Sequence, residues 1–267
     1  HEPYRRQRQM CIRDRAHAIG GEIISADSMQ VYRRMDIGSA KVRPEEMEGV
    51  HHYLIDVLEP DEEFHVVRFQ QLAKEALGKI RANGHIPIVA GGTGFYIQAL
   101  LYDIDLTENE AQTQILAELE ELAARECGER LHALLAKADP KAAEEIHAHN
   151  VKRVIRALEF YRLTGKRISE HNEEQKAKES PYNFAYFVLN DERGRLYERI
   201  DARVDQMMEE GLLREVERLK EEGLRRGMVS MQGLGYKELL SFLDGECSLD
   251  EAVRILKQDT RHFAKRQ

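Results

Sequence analysis

Asp27 comes directly after a short apolar run, Glu22-Ile-Ile-Ser-Ala26, which itself follows a Gly-Gly pair. Such a run reads as a buried strand, and a carboxylate at its far end can accept a proton or help to hold a metal ion. An aspartate followed by Ser28 is equally the pattern of a helix cap, which bonds free backbone N–H groups. A second apolar run, Ile86-Pro-Ile-Val-Ala90, leads into Gly91-Gly-Thr-Gly94. Glycines there let backbone approach a ligand and aim N–H groups at an anion, although a plain turn calls for the same residues. Arg199 and Arg203, four apart on one helix face, can clamp a pyrophosphate through paired donors or pair on the surface with Glu198, Asp201 or Asp205. Gln232-Gly-Leu-Gly-Tyr-Lys237 sets an amide, an aromatic ring and a cation around two glycines. That mix suits RNA, whose bases stack on rings and whose phosphates meet lysine; it also suits a loop leading into a helix. Of the 11 histidines, His51 and His52 are adjacent and the others scattered, without metal-ligand spacing, and none is assigned to catalysis.

The elements that must position these residues follow from the hydrophobic pattern. Strands are expected at Glu22–Ala26, His52–Val57 and Ile86–Ala90, with a helix over 66–83 stopped by Gly84 and another beginning near Phe95. Strand, helix, strand, then a glycine turn into a helix is the grammar of a parallel sheet covered by helices, whose ligands sit beyond the carboxyl ends of the strands. From about 109 to 175 the strand pattern gives way to helical stretches at 110–126, 129–137, 140–148 and 150–163, with Asp139-Pro140 a good helix start. Phe184-Ala-Tyr-Phe-Val-Leu189 is expected to return the chain to the sheet as a strand. Charged helices at about 193–222 and 236–243, and a last one from about 248, complete the chain. The expected organisation is an α/β core, 1–108 and 176–267, with a helical insertion at 109–175.

The 267 residues suffice for one large α/β domain with such an insertion. No run approaches a membrane span, and the basic residues 1–15 are not followed by an apolar region or cleavage site, so no secretory signal is expected. Three widely spaced cysteines, Cys11, Cys127 and Cys247, read as reduced thiols of a cytoplasmic protein. The net charge of −8 runs against general nucleic-acid binding, yet residues 151–167 hold six basic side chains against one acidic, and 253–267 five against one. Solvated helix faces would show the same pattern.

Taken together and in order, Gly21–Lys41, His51–Val57, Ile86–Leu101, Asn150–Glu170, Leu196–Arg203, Gln232–Lys237 and Thr260–Gln267 resemble the tRNA dimethylallyltransferase (tRNA isopentenyltransferase) family. The resemblance covers roughly residues 16–267. It implies a P-loop-kinase-like α/β fold with a helical insertion, and transfer of a dimethylallyl group from its diphosphate to the exocyclic amine of the adenosine 3′ to the anticodon. By motif, Asp27 would be the general base, Thr93 would position the reacting groups, and Arg203, with Arg199, would bind diphosphate. Contacts to the tRNA anticodon stem-loop would come from Asp27, Ser28, Met29, Gln30 and Thr93, from Lys152, Arg153, Val154, Ile155 and Arg156, and from Gln232, Gly233, Leu234, Gly235, Tyr236 and Lys237. Mg2+ would bridge the pyrophosphate oxygens, and the protein would act as a monomer in the cytoplasm, away from membranes.

One segment departs from that pattern. The family's loop, G-P-T-x-x-G-K-[ST], falls about 18 residues before the aspartate, at residues 2–9 here, which read Glu-Pro-Tyr-Arg-Arg-Gln-Arg-Gln. No glycine occurs in residues 1–19, and such a loop needs glycine geometry to wrap N–H groups round phosphate. The expectations are that residues 1–15 are non-native sequence and that the chain transfers prenyl groups poorly or not at all. The alternatives are another P-loop-like nucleotide kinase or transferase, and a non-catalytic tRNA-binding remnant.

Overall fold

Strand β1 (Gly21–Ser25) is the centre of a three-stranded sheet, flanked by β2 (His52–Tyr53) and β3 (Ile86–Ala90) in the order β2-β1-β3, all parallel. The computed structural model describes residues 12–105, 111–125, 128–189 and 191–266. Residues 2–9, where the glycine-rich loop was expected, lie outside them. Residues 12–19 form helix α1, and Ala16 on it packs against Ile23 and Val50. Gly21 pairs with Ile86 and Ser25 with Ala90, so β1 and β3 end level, and whatever follows each strand emerges side by side.

The second strand is shorter than expected. Only His52 and Tyr53 pair with β1, because Leu54 and Asp56 adopt positive φ (65° and 53°) and turn the chain out of the ladder. A short helix α2 (Pro44–Met47) precedes it. Helix α3 (Val66–Ala82) buries Phe69, Ala73, Ala76, Leu77 and Ile80 on one face and ends at Asn83, with Gly84 at φ 76°. The Gln70 amide donates to the Ala99 carbonyl at 2.7 Å, tying α3 to α4 (Gly94–Leu101). Phe69 stacks on Tyr96 at 4.6 Å between centroids, with Phe64 edge-on to both.

The described chain forms two compact units, Leu101–Asn183 and the remainder. The first holds α5 (Ala111–Arg125), α6 (Gly128–Ala138), α7 (Pro140–Glu145), α8 (Val151–Thr164) and α9 (Ile168–Lys176), the last not foreseen. Leu119, Leu131, Leu135, Val154, Ile155 and Leu158 form its core. Asp139 caps α7 through the Ala142 N–H at 3.0 Å and also accepts from the backbone and hydroxyl of Ser169 at 2.9 and 2.7 Å. One buried carboxylate thereby joins two helix starts.

Two further expectations are corrected in the larger unit. Phe184–Leu189 does not form a strand: it lies outside the three-stranded sheet of the described residues, and Phe187, Val188 and Leu189 are 67%, 73% and 66% exposed. Its aromatic and β-branched residues have the right character, but a strand also needs a neighbouring strand to bond. The helix expected over 193–222 is two helices, α10 (Arg193–Glu210) and α11 (Leu212–Glu221), separated by Gly211 at φ 102°. A 3-10 turn at Ser230–Gln232, then α12 (Tyr236–Leu243) and α13 (Leu249–Arg266), complete the unit. No helix among the described residues is long and apolar enough to cross a membrane.

Candidate active site

Asp27 lies just past the C-terminal end of the central strand, where the fully buried Ala26 gives way to half-buried residues. No helix follows, so the helix-cap alternative does not hold as drawn; the carboxylate instead closes a turn. Its Oδ1 accepts from the Met29 N–H at 2.8 Å and the Gln30 N–H at 3.3 Å, which fixes the side chain's direction while leaving it partly open to solvent. Nearby, burial first and then the charge of Asp27 push the Tyr96 phenol up to about 12.

The Gly91–Gly94 turn is pressed against this point. The Ala26 N–H donates to Ala90 O at 2.8 Å, and the Thr93 N–H donates to Ala26 O at 3.2 Å. A Cβ on Gly91 would lie 2.2 Å from Ala26 O, so only glycine fits between the two strand ends. Thr93 then starts α4, its carbonyl accepting from Tyr96 N at 2.9 Å. Asp27 and Thr93, 66 positions apart in sequence, are thus held together by backbone bonds that level strand ends make unavoidable.

The loop after Asp27 is fastened by two buried ions. The Lys41 ammonium donates to Tyr32 O at 2.7 Å and to Asp36 and Asp56 at 2.6 Å each. Glu215, on α11, accepts from the N–H groups of Asp36, Ile37 and Gly38 at 2.9, 2.9 and 3.1 Å and from the Tyr236 hydroxyl at 2.7 Å. Tyr236 is fully buried, and its ring fills the space beside Gly38, where a Cβ would lie 2.5 Å from it. It therefore cannot stack on a base, which corrects the expectation for that ring. Burial, then the Glu215 charge, hold its phenol well above the ordinary value. Within the same segment, Gln232 is exposed, Gly233 and Leu234 are half-buried and Gly235 is buried. Lys237 pairs with Asp259 at 2.7 Å. A Cβ on Gly233 would sit 2.4 Å from Met29 Cε, so this loop abuts the Asp27 turn.

Glu215 and Lys41 were not picked out by residue type. The signal for Glu215 is its spacing: Leu212, Val216 and Leu219 form the buried stripe of α11, and Glu215 lies on it, where a carboxylate must find donors.

Arg199 and Arg203 lie on α10, Arg199 half-buried against Asp191 and Arg203 exposed. Asp201 and Asp205 engage α13 instead, through Arg261 at 2.6 Å and Lys257 at 2.6 Å. In the helical unit, Lys152, Arg153 and Arg156 stand exposed on α8, whereas Val154 and Ile155 are core residues. The side chains of those two pack inward, which corrects their assignment to a binding face. Among the described residues no group of three or more His, Cys, Asp or Glu side chains converges as a metal cage.

Residues 30–267 match the family model described as IPP transferase. The chain is 63% identical over 254 residues to a tRNA dimethylallyltransferase of Lachnoclostridium phytofermentans, covering 95% of this chain and 81% of that one. It is 52% identical to the Acetivibrio thermocellus tRNA dimethylallyltransferase, covering 94% and 80%. Its fold is similar to the solved tRNA isopentenylpyrophosphate transferase of Bacillus halodurans, with a TM-score of 0.70 and 44% identity over 97% of this chain and 80% of that one. It is also similar to a eukaryotic dimethylallyltransferase acting on tRNA, with a TM-score of 0.80 and 31% identity over 97% and 65%. These likenesses carry the fold class expected from the sequence.

Proposed function

The chain belongs to the IPP transferase family, and from that premise we propose that it moves a dimethylallyl group from dimethylallyl diphosphate to the exocyclic amine of the tRNA adenosine 3′ to the anticodon. The carrying observation is the placement of Asp27 at the end of the central strand, beside Thr93, with its carboxylate oriented by the Met29 and Gln30 amides.

That amine is a poor nucleophile, because its lone pair is delocalised into the ring. As its nitrogen bonds to the dimethylallyl C1, the carbon–oxygen bond breaks and its electron pair leaves on diphosphate. The amine proton passes to the Asp27 carboxylate, a contribution of about 10²–10⁴-fold for a positioned base. Thr93 would position the reacting groups. Arg203 and Arg199 are the proposed diphosphate cations, with charge matched to the leaving group. Mg2+ bound to pyrophosphate oxygens would neutralise part of the charge that develops there. The acceptor base must be unstacked to reach Asp27. The exposed Lys152, Arg153 and Arg156 are suited to RNA phosphates, with Ser28, Met29, Gln30 and the Gln232–Lys237 loop around the base. A cytoplasmic monomer remains our reading.

The absence of glycine from residues 1–19 favours a second reading, a non-catalytic tRNA-binding remnant. A single-turnover assay with labelled dimethylallyl diphosphate and an anticodon stem-loop decides between them. Slow transfer that Asp27→Asn abolishes supports the first; salt-dependent RNA binding without transfer supports the second. Robust transfer by the unaltered chain would refute the expectation of an impaired diphosphate side.

A further inference from the structure

We propose that Glu215 is a positioning residue for Asp27, acting through the two segments that wall the Asp27 turn; the proposal rests on reading Asp27 as the base. Glu215 does not touch Asp27. Its Oε2 takes the Asp36 and Ile37 N–H groups, and its Oε1 takes the Gly38 N–H and the Tyr236 hydroxyl. Four donors converge on one buried side chain, which calls for a group that only accepts; a glutamine would turn an NH2 toward donors.

Each of the segments so gripped reaches the Asp27 turn from a different side. From Asp36, the carboxylate meets the Lys41 ammonium, which also holds Tyr32 O at 2.7 Å. Farther along, Ala40 O lies 3.5 Å from the Gln30 side-chain amide. From Tyr236, the N–H donates to Gly233 O at 3.2 Å, and Gly233 presses on the Met29 side chain. Met29 and Gln30 are the residues whose amides orient the Asp27 carboxylate. One carboxylate on α11 therefore locks together both walls of the turn that aims the base.

The test is amide exchange measured by NMR on the full chain carrying Glu215→Gln. Asp36, Ile37 and Gly38 should lose protection, and so should Met29 and Gln30, by about tenfold or more, while Ile23 and Ile24 in β1 keep theirs. In transfer assays the variant should lose kcat with little change in KM for the diphosphate. Glu215→Gln should add no further loss to Asp27→Asn, because both act on one step. Unchanged protection at Met29 and Gln30, or a multiplicative loss in the double variant, overturns the proposal. Parental transfer by Asp27→Asn alone would instead overturn the base reading, and the exchange result would still decide the linkage. Should Glu215→Gln fail to fold, Tyr236→Phe keeps the ring beside Gly38 and removes a single donor. It must show the same selective pattern at smaller amplitude, and parental exchange at Met29 in that variant counts against the proposal.

Discussion

Replacing Gly91 with alanine is the sharpest test of how the site is built. The added methyl would lie 2.2 Å from Ala26 O, 2.3 Å from Ala26 C and 2.8 Å from Ala26 Cα. All three are backbone atoms, so no rotamer relieves the overlap, and the turn must retreat by about 1 Å to reach ordinary contact. That retreat breaks or stretches the Ala26–Ala90 and Thr93–Ala26 bonds, now 2.8 and 3.2 Å. At ~1 kcal/mol each, plus residual strain, the loss of stability is about 2–4 kcal/mol. The same movement separates Thr93 from Asp27, and a misplacement of ~1 Å can cost about 10²-fold in rate. Urea titration reads the first effect as a lower midpoint at unchanged slope, and single-turnover transfer reads the second. A Gly91→Ala chain with parental midpoint and parental transfer would refute the close approach on which the site's construction rests.

Asp27→Asn should lower transfer by about 10²–10⁴-fold while tRNA affinity stays within about twofold of the parent in a filter-binding titration; unchanged transfer removes Asp27 from the base role. Arg203→Ala should raise KM for the diphosphate and leave tRNA binding alone, and an effect confined to tRNA would reassign it. Lys41→Met should destabilise the chain by about 1–3 kcal/mol, discounted from a fully buried pair because Asp36 and Asp56 remain half exposed; a parental urea midpoint would contradict this. Asp139 supplies a pH prediction. Burial raises its pKa, but the hydrogen bonds from Ser169 and Ala142 outweigh it, leaving the carboxyl below its ordinary 3.8. Its stabilisation is therefore complete above that value and lost as pH falls from 3.8 through the folded pKa. Asp139→Asn should flatten that part of the acid limb, measured by midpoints across pH 2.5–5 (about the range of carboxylate titration), and an unaltered limb would count against the assignment.

Much of this was legible from residue pattern because it is local. Apolar runs ending in Asp27 and Gly91 announce strand ends, and strand ends in a parallel sheet announce a site. The correct span of α3 follows from its apolar periodicity and the Asn-Gly that stops it. What escaped depends on distant partners. Phe184–Leu189 has strand composition, but composition does not supply the strand beside it. Tyr236 and Lys237 resemble a base-stacking pair until the fold buries the ring between Gly38 and Glu215. Val154 and Ile155 sit among basic residues, yet a helix turns by 100° per residue, so one contiguous motif spans both the core face and the solvent face. Gly211 interrupts a charged stretch without a change in composition, and only its positive φ marks the break.

The grip of Glu215 on the loop after Asp27 also sets an order of events. Its three backbone bonds span 177 to 179 positions of chain. On a ribosome adding ~5–20 residues per second, the Asp36–Gly38 segment waits roughly 10–35 s for its partner to be made. Until then those three N–H groups lack that partner, and β1 can be complete while the loop beyond Asp27 is still unfastened. The entropic cost of closing so long a loop falls on one carboxylate.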